Sequence, residues 1–177
     1  MSHIIAFYFE FNQLKQLFRQ GWLRHGVPPE RCESVADHSF SVAVLAMLLS
    51  DAHFPDLDTA RVLRLALLHE FGEIYAGDIT PADGVSGEEK HRREEDSVVR
   101  VLSKLPNGEM YITLWREYED NQSPEARFVR QIDRLEMALQ ASVYQRQGLL
   151  DPAEFLRSAG AALSAPELRR ILDELTA

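Results

Sequence analysis

Cysteine is almost absent from this chain: Cys32 is the only one in 177 residues. One thiol cannot close an internal disulfide or build a thiolate-only zinc cluster. A reducing, cytoplasmic setting is therefore expected. Positive charge is also in short supply, with 19 Lys and Arg against 28 Asp and Glu and a formal net charge of −9 at pH 7. Such a balance argues against a polymeric nucleic acid as partner, because phosphate neutralisation dominates that kind of binding. A single nucleotide needs only a local basic group, and Arg19, Arg24 and Arg31 or the run Lys90–Arg93 could supply one. No apolar run reaches membrane-spanning length, so no membrane partner is expected. The opening run MSHIIAFYFEFNQLKQ lacks the basic start and small-residue cleavage site of a secretory signal. Strand-type alternation, internal repeats and low-complexity segments are missing too.

What is present is helical punctuation. Ile4, Phe7, Phe11, Leu14, Leu17 and Phe18 have the spacing of an amphipathic helix. Ser34-Val-Ala-Asp37 is a capping pair that predicts a helix to about Ala52. After the turn His53–Asp58, Asp58 is the natural N-cap of a helix from Thr59 to about Glu73, apolar on most of its circumference. Residues 74–87, with Gly77, Pro81, Gly84 and Gly87, are the least regular part of the chain. A charged helix is predicted from Glu88 to Leu105, stopped by Pro106-Asn-Gly108, and a short one over Glu109–Tyr118. Ser123-Pro124 opens a long helix ending near Gly148, and Asp151-Pro152 and Ala165-Pro166 open two closing helices. The expectation is an all-α bundle forming one domain over residues 1–177.

Four polar groups fall where this pattern calls for core. His38 shares a helix face with Val42 and Leu45, and Asp133 with Val129 and Met137. His69 and Glu70 close the apolar run LALLHEFGEIYAGDI, with Glu73 three and four residues beyond them. Each has a bland reading: a hydrogen-bonded core histidine, a solvated helix end, an ion pair of Asp133 with Arg130 or Arg134. Together they read differently. Burying imidazoles and carboxylates in apolar surroundings is costly unless opposite charge compensates, and a divalent cation would do so. Helices packed side by side can bring such groups to one point. A zinc-protease reading of His69-Glu70 fails because Glu73 stands where the second histidine of HExxH belongs, and no Gly-rich Walker loop is present.

The stretches RQGWLRHGV, ESVADHS, LALLHEFGEIYAGDITPAD, EEKHRREE and FVRQIDRLEMALQAS resemble, in that order, the HD-domain metal-dependent phosphohydrolases, and most closely their 5′-deoxynucleotidase branch. The resemblance is strongest over residues 16–145. It implies a helical homodimer holding one divalent transition metal, through His38, His69, Glu70 and Asp133, and removing the 5′-phosphate from deoxynucleoside monophosphates. It assigns Glu73 to the attacking water and Asp78, after the permissive Gly77, to the leaving oxygen. Arg19 and Trp22 fall in the family's substrate-contacting segment, with Arg24 a rival for that role. One departure stands out: the family pair is His-Asp, and here it is His69-Glu70. The extra methylene shifts the carboxylate by about a bond length, and small misplacements can cost about 100-fold in rate.

EEKHRREE reads first as a solvated face laced with salt bridges, and functionally as Lys90 or Arg92 turned to phosphate or to a dimer partner. The donor types suit manganese, cobalt, iron, nickel or zinc without choosing among them. Two other readings compete with the nucleotidase: a metal- and nucleotide-binding protein impaired by Glu70, and an HD hydrolase of a signalling nucleotide or a triphosphate.

Overall fold

The computed structural model describes residues 2–176, so the two ends of the predicted 1–177 domain lie outside the described residues. Its helices, in chain order, are α1 Ser2–Phe11, α2 Gln20–Arg24, α3 Val35–His53, α4 Thr59–Leu68, α5 Glu73–Ala76, α6 Gly87–Leu102, α7 Gly108–Glu119, α8 Pro124–Arg146, α9 Ala153–Ala162 and α10 Pro166–Thr176. Among the described residues there is no strand, only one antiparallel bridge between Phe18 and Ser34. The all-α expectation holds.

The caps act where the sequence placed them. Ser34 Oγ accepts from Asp37 N, and Asp37 answers by accepting from Ser34 N, so α3 begins at Val35. Asp58 accepts from Ala60 N and Arg61 N at the head of α4, and Ser123 from Ala126 N at the head of α8. With their ends fixed, α3, α4 and α8 pack on one another, α7 closes over α4 and α8, and α9 and α10 lie along α8. Val35, Val42, Val62, Leu65, Ile132 and Leu135 are fully buried between them. α3 is long and apolar enough to cross a membrane by length and composition. It is nonetheless held against α4 and α8, with its inward residues in the core.

Three elements differ from the sequence reading. The amphipathic N-terminal helix stops at Phe11, continues as a 3-10 turn over Asn12–Lys15, and gives way before Phe18, which pairs with Ser34. Phe7 and Phe11 stack on each other and meet Phe71 at a tilt, but Ile4 is exposed. The charged helix α6 ends at Leu102, ahead of Leu105. The helix expected from Thr59 to Glu73 breaks at Leu68. From there Phe71 N bonds Leu68 O, Glu73 N bonds Glu70 O and Ile74 N bonds Phe71 O, a tighter winding with three residues per turn. Gly72 lets this turn press against α6: a Cβ there would meet Glu94 Cβ at 2.6 Å.

Candidate metal centre

The break after α4 arranges the centre. His69 caps α4 and turns its Nδ1 back to the Ala66 carbonyl, 2.6 Å away. From one turn inside α3, His38 points its Nδ1 at Glu136 Oε2 of α8, at 2.7 Å. A carbonyl and a carboxylate can only accept, so both imidazoles are assigned their proton on Nδ1. The two Nε2 atoms then face each other at 3.5 Å. His38 Nε2 lies 3.1 Å from Asp133 Oδ1 and 3.6 Å from Glu70 Oε1, and His69 Nε2 lies 3.4 Å from the same Glu70 oxygen.

Four acceptor atoms thus converge, all within 4.8 Å of one another. Both imidazoles are buried, while Glu70 and Asp133 keep a narrow opening to solvent. A second proton on His38 relieves part of the crowding. Burial and Arg19 push its basicity down, but hydrogen bonds to Asp133 and Glu136 outweigh them and raise its pKa to about 10. That proton serves the contact with Asp133 and leaves His69, whose pKa burial lowers, still facing Glu70. Glu70 is itself resistant to protonation: burial opposes its charge, but His69, Arg19 and His38 hold its pKa down to about 2. A divalent cation satisfies all four atoms together. Two imidazole nitrogens with outer partners and two carboxylate oxygens fit a transition metal such as manganese, iron, cobalt, nickel or zinc.

Beside the four lies a second group of charges. Arg19 Nη1 sits 3.0 Å from Glu70 Oε1, 3.7 Å from Asp78 Oδ1 and 3.9 Å from Glu73 Oε1. Glu73 opens α5 and is buried, with Oε2 lacking any hydrogen-bond partner. Burial, then the charges of Glu70 and Asp78, raise its pKa well above the ordinary carboxylate value. Gly77, at φ +80°, turns the chain so that Asp78 returns to the site. Asp78 Oδ2 accepts from Gln20 N at 2.5 Å and so also anchors the start of α2.

Of the expected substrate contacts, Arg19 is inside this group and Lys90 stands at its edge. Lys90 Nζ donates to Ile79 O and lies 3.5 Å from Glu94; burial lowers its pKa, but Glu94, Glu70, Glu73 and Asp78 raise it more. Trp22 and Arg92 are placed elsewhere. The Trp22 indole is 1% exposed, packed on Tyr144 and Phe155, and donates to Glu33 Oε1 at 2.7 Å, so no face is open to a ligand. Arg92 is largely exposed and paired with Glu89 and Asp96, as the solvated-face reading of its segment has it. Arg24 binds Thr80 and Asp83 and pins the loop after Asp78.

The sequence reading passed over Glu136 and Glu33. Glu136 is 3% exposed behind His38. Glu33 and Glu136 each place an oxygen within 4.8 Å of a ring nitrogen of His38 and of each other. Burial, then the charge of Glu136, raise the Glu33 pKa to about 7. The signal was a carboxylate three residues after Asp133, on the same buried stripe as Val129 and Ile132.

An all-helical domain enclosing a two-imidazole, two-carboxylate centre is the class that fold and site define. The chain belongs to the HD domain family, whose pattern matches residues 11–174. It is 42% identical over 172 residues to 5′-deoxynucleotidase HDDC2 of Homo sapiens, covering 93% of this chain and 80% of that protein. A conserved hypothetical protein from Pyrococcus furiosus superposes with a TM-score of 0.81 at 30% identity, over 97% of this chain and 98% of that one. A solved structure titled as a predicted metal-dependent phosphohydrolase, from Magnetospirillum magnetotacticum, superposes with a TM-score of 0.72 at 28% identity, over 99% and 94%.

Proposed function

We propose that this chain is a metal-dependent 5′-deoxynucleotidase that releases phosphate from deoxynucleoside monophosphates. The observation that carries the reading is the convergence of four acceptor atoms within 4.8 Å beside a buried, unpartnered Glu73 oxygen. The relatedness to HDDC2 directs it to deoxynucleotides. A phosphate dianion does not approach Glu70, Glu73, Asp78 and Asp133 unaided, since like charges at this range repel strongly in a buried site. His38, His69, Glu70 and Asp133 would hold the cation. When bound, it supplies the positive charge that admits the phosphate and acidifies an attacking water.

The chain's own groups do the rest. Glu73 accepts a proton from the attacking water, and its raised pKa moves it toward the range useful for a general base. The water oxygen bonds to phosphorus as the bond from phosphorus to O5′ breaks. Asp78 then relays to O5′ the proton that Glu73 took from the water, giving the deoxynucleoside and inorganic phosphate and leaving both carboxylates ionised as they began. Arg19 and Lys90 hold the phosphate oxygens, a reading supported by Arg19 standing beside Glu70 and Asp78 and by Lys90 reaching Ile79 O next to Asp78. A homodimer is part of the proposal, supported by exposed Ile4, Ile5, Tyr8 and Phe9 on α1 and Phe40 and Leu48 on α3.

The test is phosphate release from deoxy- and ribonucleoside monophosphates by metal-stripped protein resupplied separately with manganese, cobalt, magnesium or zinc. Release from the deoxy series, restored by one or more of these metals and absent in His69→Ala, is the expected result. Tight metal binding with no release from any monophosphate would overturn the nucleotidase reading.

A further inference from the structure

The far side of His38 is built as carefully as the side that faces the metal donors, and nothing in the hydrolytic scheme uses it. His38 is wholly buried, and its Nδ1 meets Glu136 Oε2 at 2.7 Å. Glu136 is held in turn by its place on α8, one helical turn beyond Asp133, so a single helix carries both a donor atom and the carboxylate behind another. Glu33 closes the group. Its side chain accepts from Trp22 Nε1 at 2.7 Å and its backbone N–H donates to Tyr144 Oη at 2.9 Å. Trp22 belongs to the short helix that begins just after Arg19, so the backing of His38 reaches the segment that presents Arg19 to the site.

We infer that Glu136 is a positioning residue for the metal centre: by holding the His38 Nδ1–H it fixes the ring and aims the Nε2 lone pair at the point shared with His69, Glu70 and Asp133, with Glu33 and Trp22 bracing the arrangement. The alternative tautomer would turn an N–H on Nε2 toward that point and remove one donor. Partners of this kind typically change metal affinity about 10- to 100-fold when lost. The inference rests on the reading of His38 as a ligand.

Cobalt(II) binding to metal-stripped protein tests it, followed by competition with a chelating dye and by the visible absorption of the bound ion. Glu136→Gln is expected to weaken cobalt binding about 10- to 100-fold and alter its absorption, while the far-ultraviolet circular dichroism of the stripped protein is unchanged. Glu136→Asp, which keeps the carboxylate, should recover part of the affinity. Should Glu136→Gln fold poorly, Trp22→Phe removes the indole donor to Glu33 together with part of a buried ring, and should shift the cobalt spectrum in the same direction by a smaller amount with the circular dichroism of the stripped protein unchanged. Unaltered affinity and spectrum in Glu136→Gln would overturn the inference. His38→Ala separates the two claims: weakened cobalt binding there beside unaltered binding in Glu136→Gln would overturn the role of Glu136 alone, whereas wild-type binding in His38→Ala would overturn the ligand assignment and the inference with it.

Discussion

Arg19 and Glu70 form the closest arginine–carboxylate pair at the centre, 3.0 Å apart, and the same Glu70 oxygen faces both histidine Nε2 atoms. Glu70 thus joins the donor cluster to the guanidinium that the proposed scheme gives to phosphate. Shortening it would withdraw the oxygen from both by about one bond length. Glu70→Asp is therefore expected to lower kcat/KM about 10- to 100-fold at saturating metal. Steady-state kinetics decide; a gain in activity would mean that the pair withholds Arg19 from substrate.

In the proposed scheme Glu73 contributes to chemistry at the expense of stability. Its carboxylate is buried, one oxygen is unpartnered, and Glu70 and Asp78 add repulsion to the burial that raises its pKa. A raised carboxyl pKa means the folded state disfavours the ionised form, so stability falls as pH rises above the unfolded value near 4.5. Glu73→Gln should abolish most turnover, at least about 100-fold, with cobalt still bound. In stripped protein at pH 8 it should raise stability by roughly 1–3 kcal/mol, read as a higher melting temperature.

Glu94 offers a pH test outside the centre. Burial, then the charges of Glu119 and Glu70, raise its pKa to about 7 against the opposing pull of Lys90. Its cost is absent below pH 4.5, grows as pH climbs to 7, and is then fully present. Glu94→Gln should leave the melting temperature at pH 5 almost unchanged and raise stability at pH 8.5 by on the order of 2 kcal/mol. Equal effects at both pH values would refute this account.

Gly72 is predicted to tolerate no side chain. A Cβ there would lie 2.6 Å from Glu94 Cβ and 3.2 Å from its Cα, so α6 itself would have to shift. Gly72→Ala should destabilise by about 1–3 kcal/mol, with roughly 2–4 °C lost from the melting temperature per kcal/mol in a chain of this size. Thermal unfolding monitored by circular dichroism measures it.

The capping residues made the helices legible, because Ser34, Asp58 and Ser123 act on backbone two or three residues away. His38 and Asp133 were legible for a related reason: each interrupts an apolar stripe, and the stripe is a local pattern. Contacts between distant segments were not. Nothing local to Trp22 reveals that Glu33 takes its N–H, and His38 and Glu136 meet across 98 residues. Arg92 and Lys90 look equivalent in EEKHRREE, and only the rotation of α6 sends one to Glu89 and Asp96 and the other toward Ile79. The break at Leu68 also escaped local reading, since helical φ and ψ persist through His69 and Gly72 while the hydrogen bonds shorten by one residue.

The donors stand on α3, on the turn after α4 and on α8, stretches of chain that meet only once the bundle has closed. An ion gripped by all three is a cross-link across long loops, and an unfolded chain has no such grip to offer. Its binding energy then appears as resistance to unfolding. In this architecture the charge that serves the chemistry also serves as a staple, so chelation should loosen the whole bundle and not merely silence one pocket.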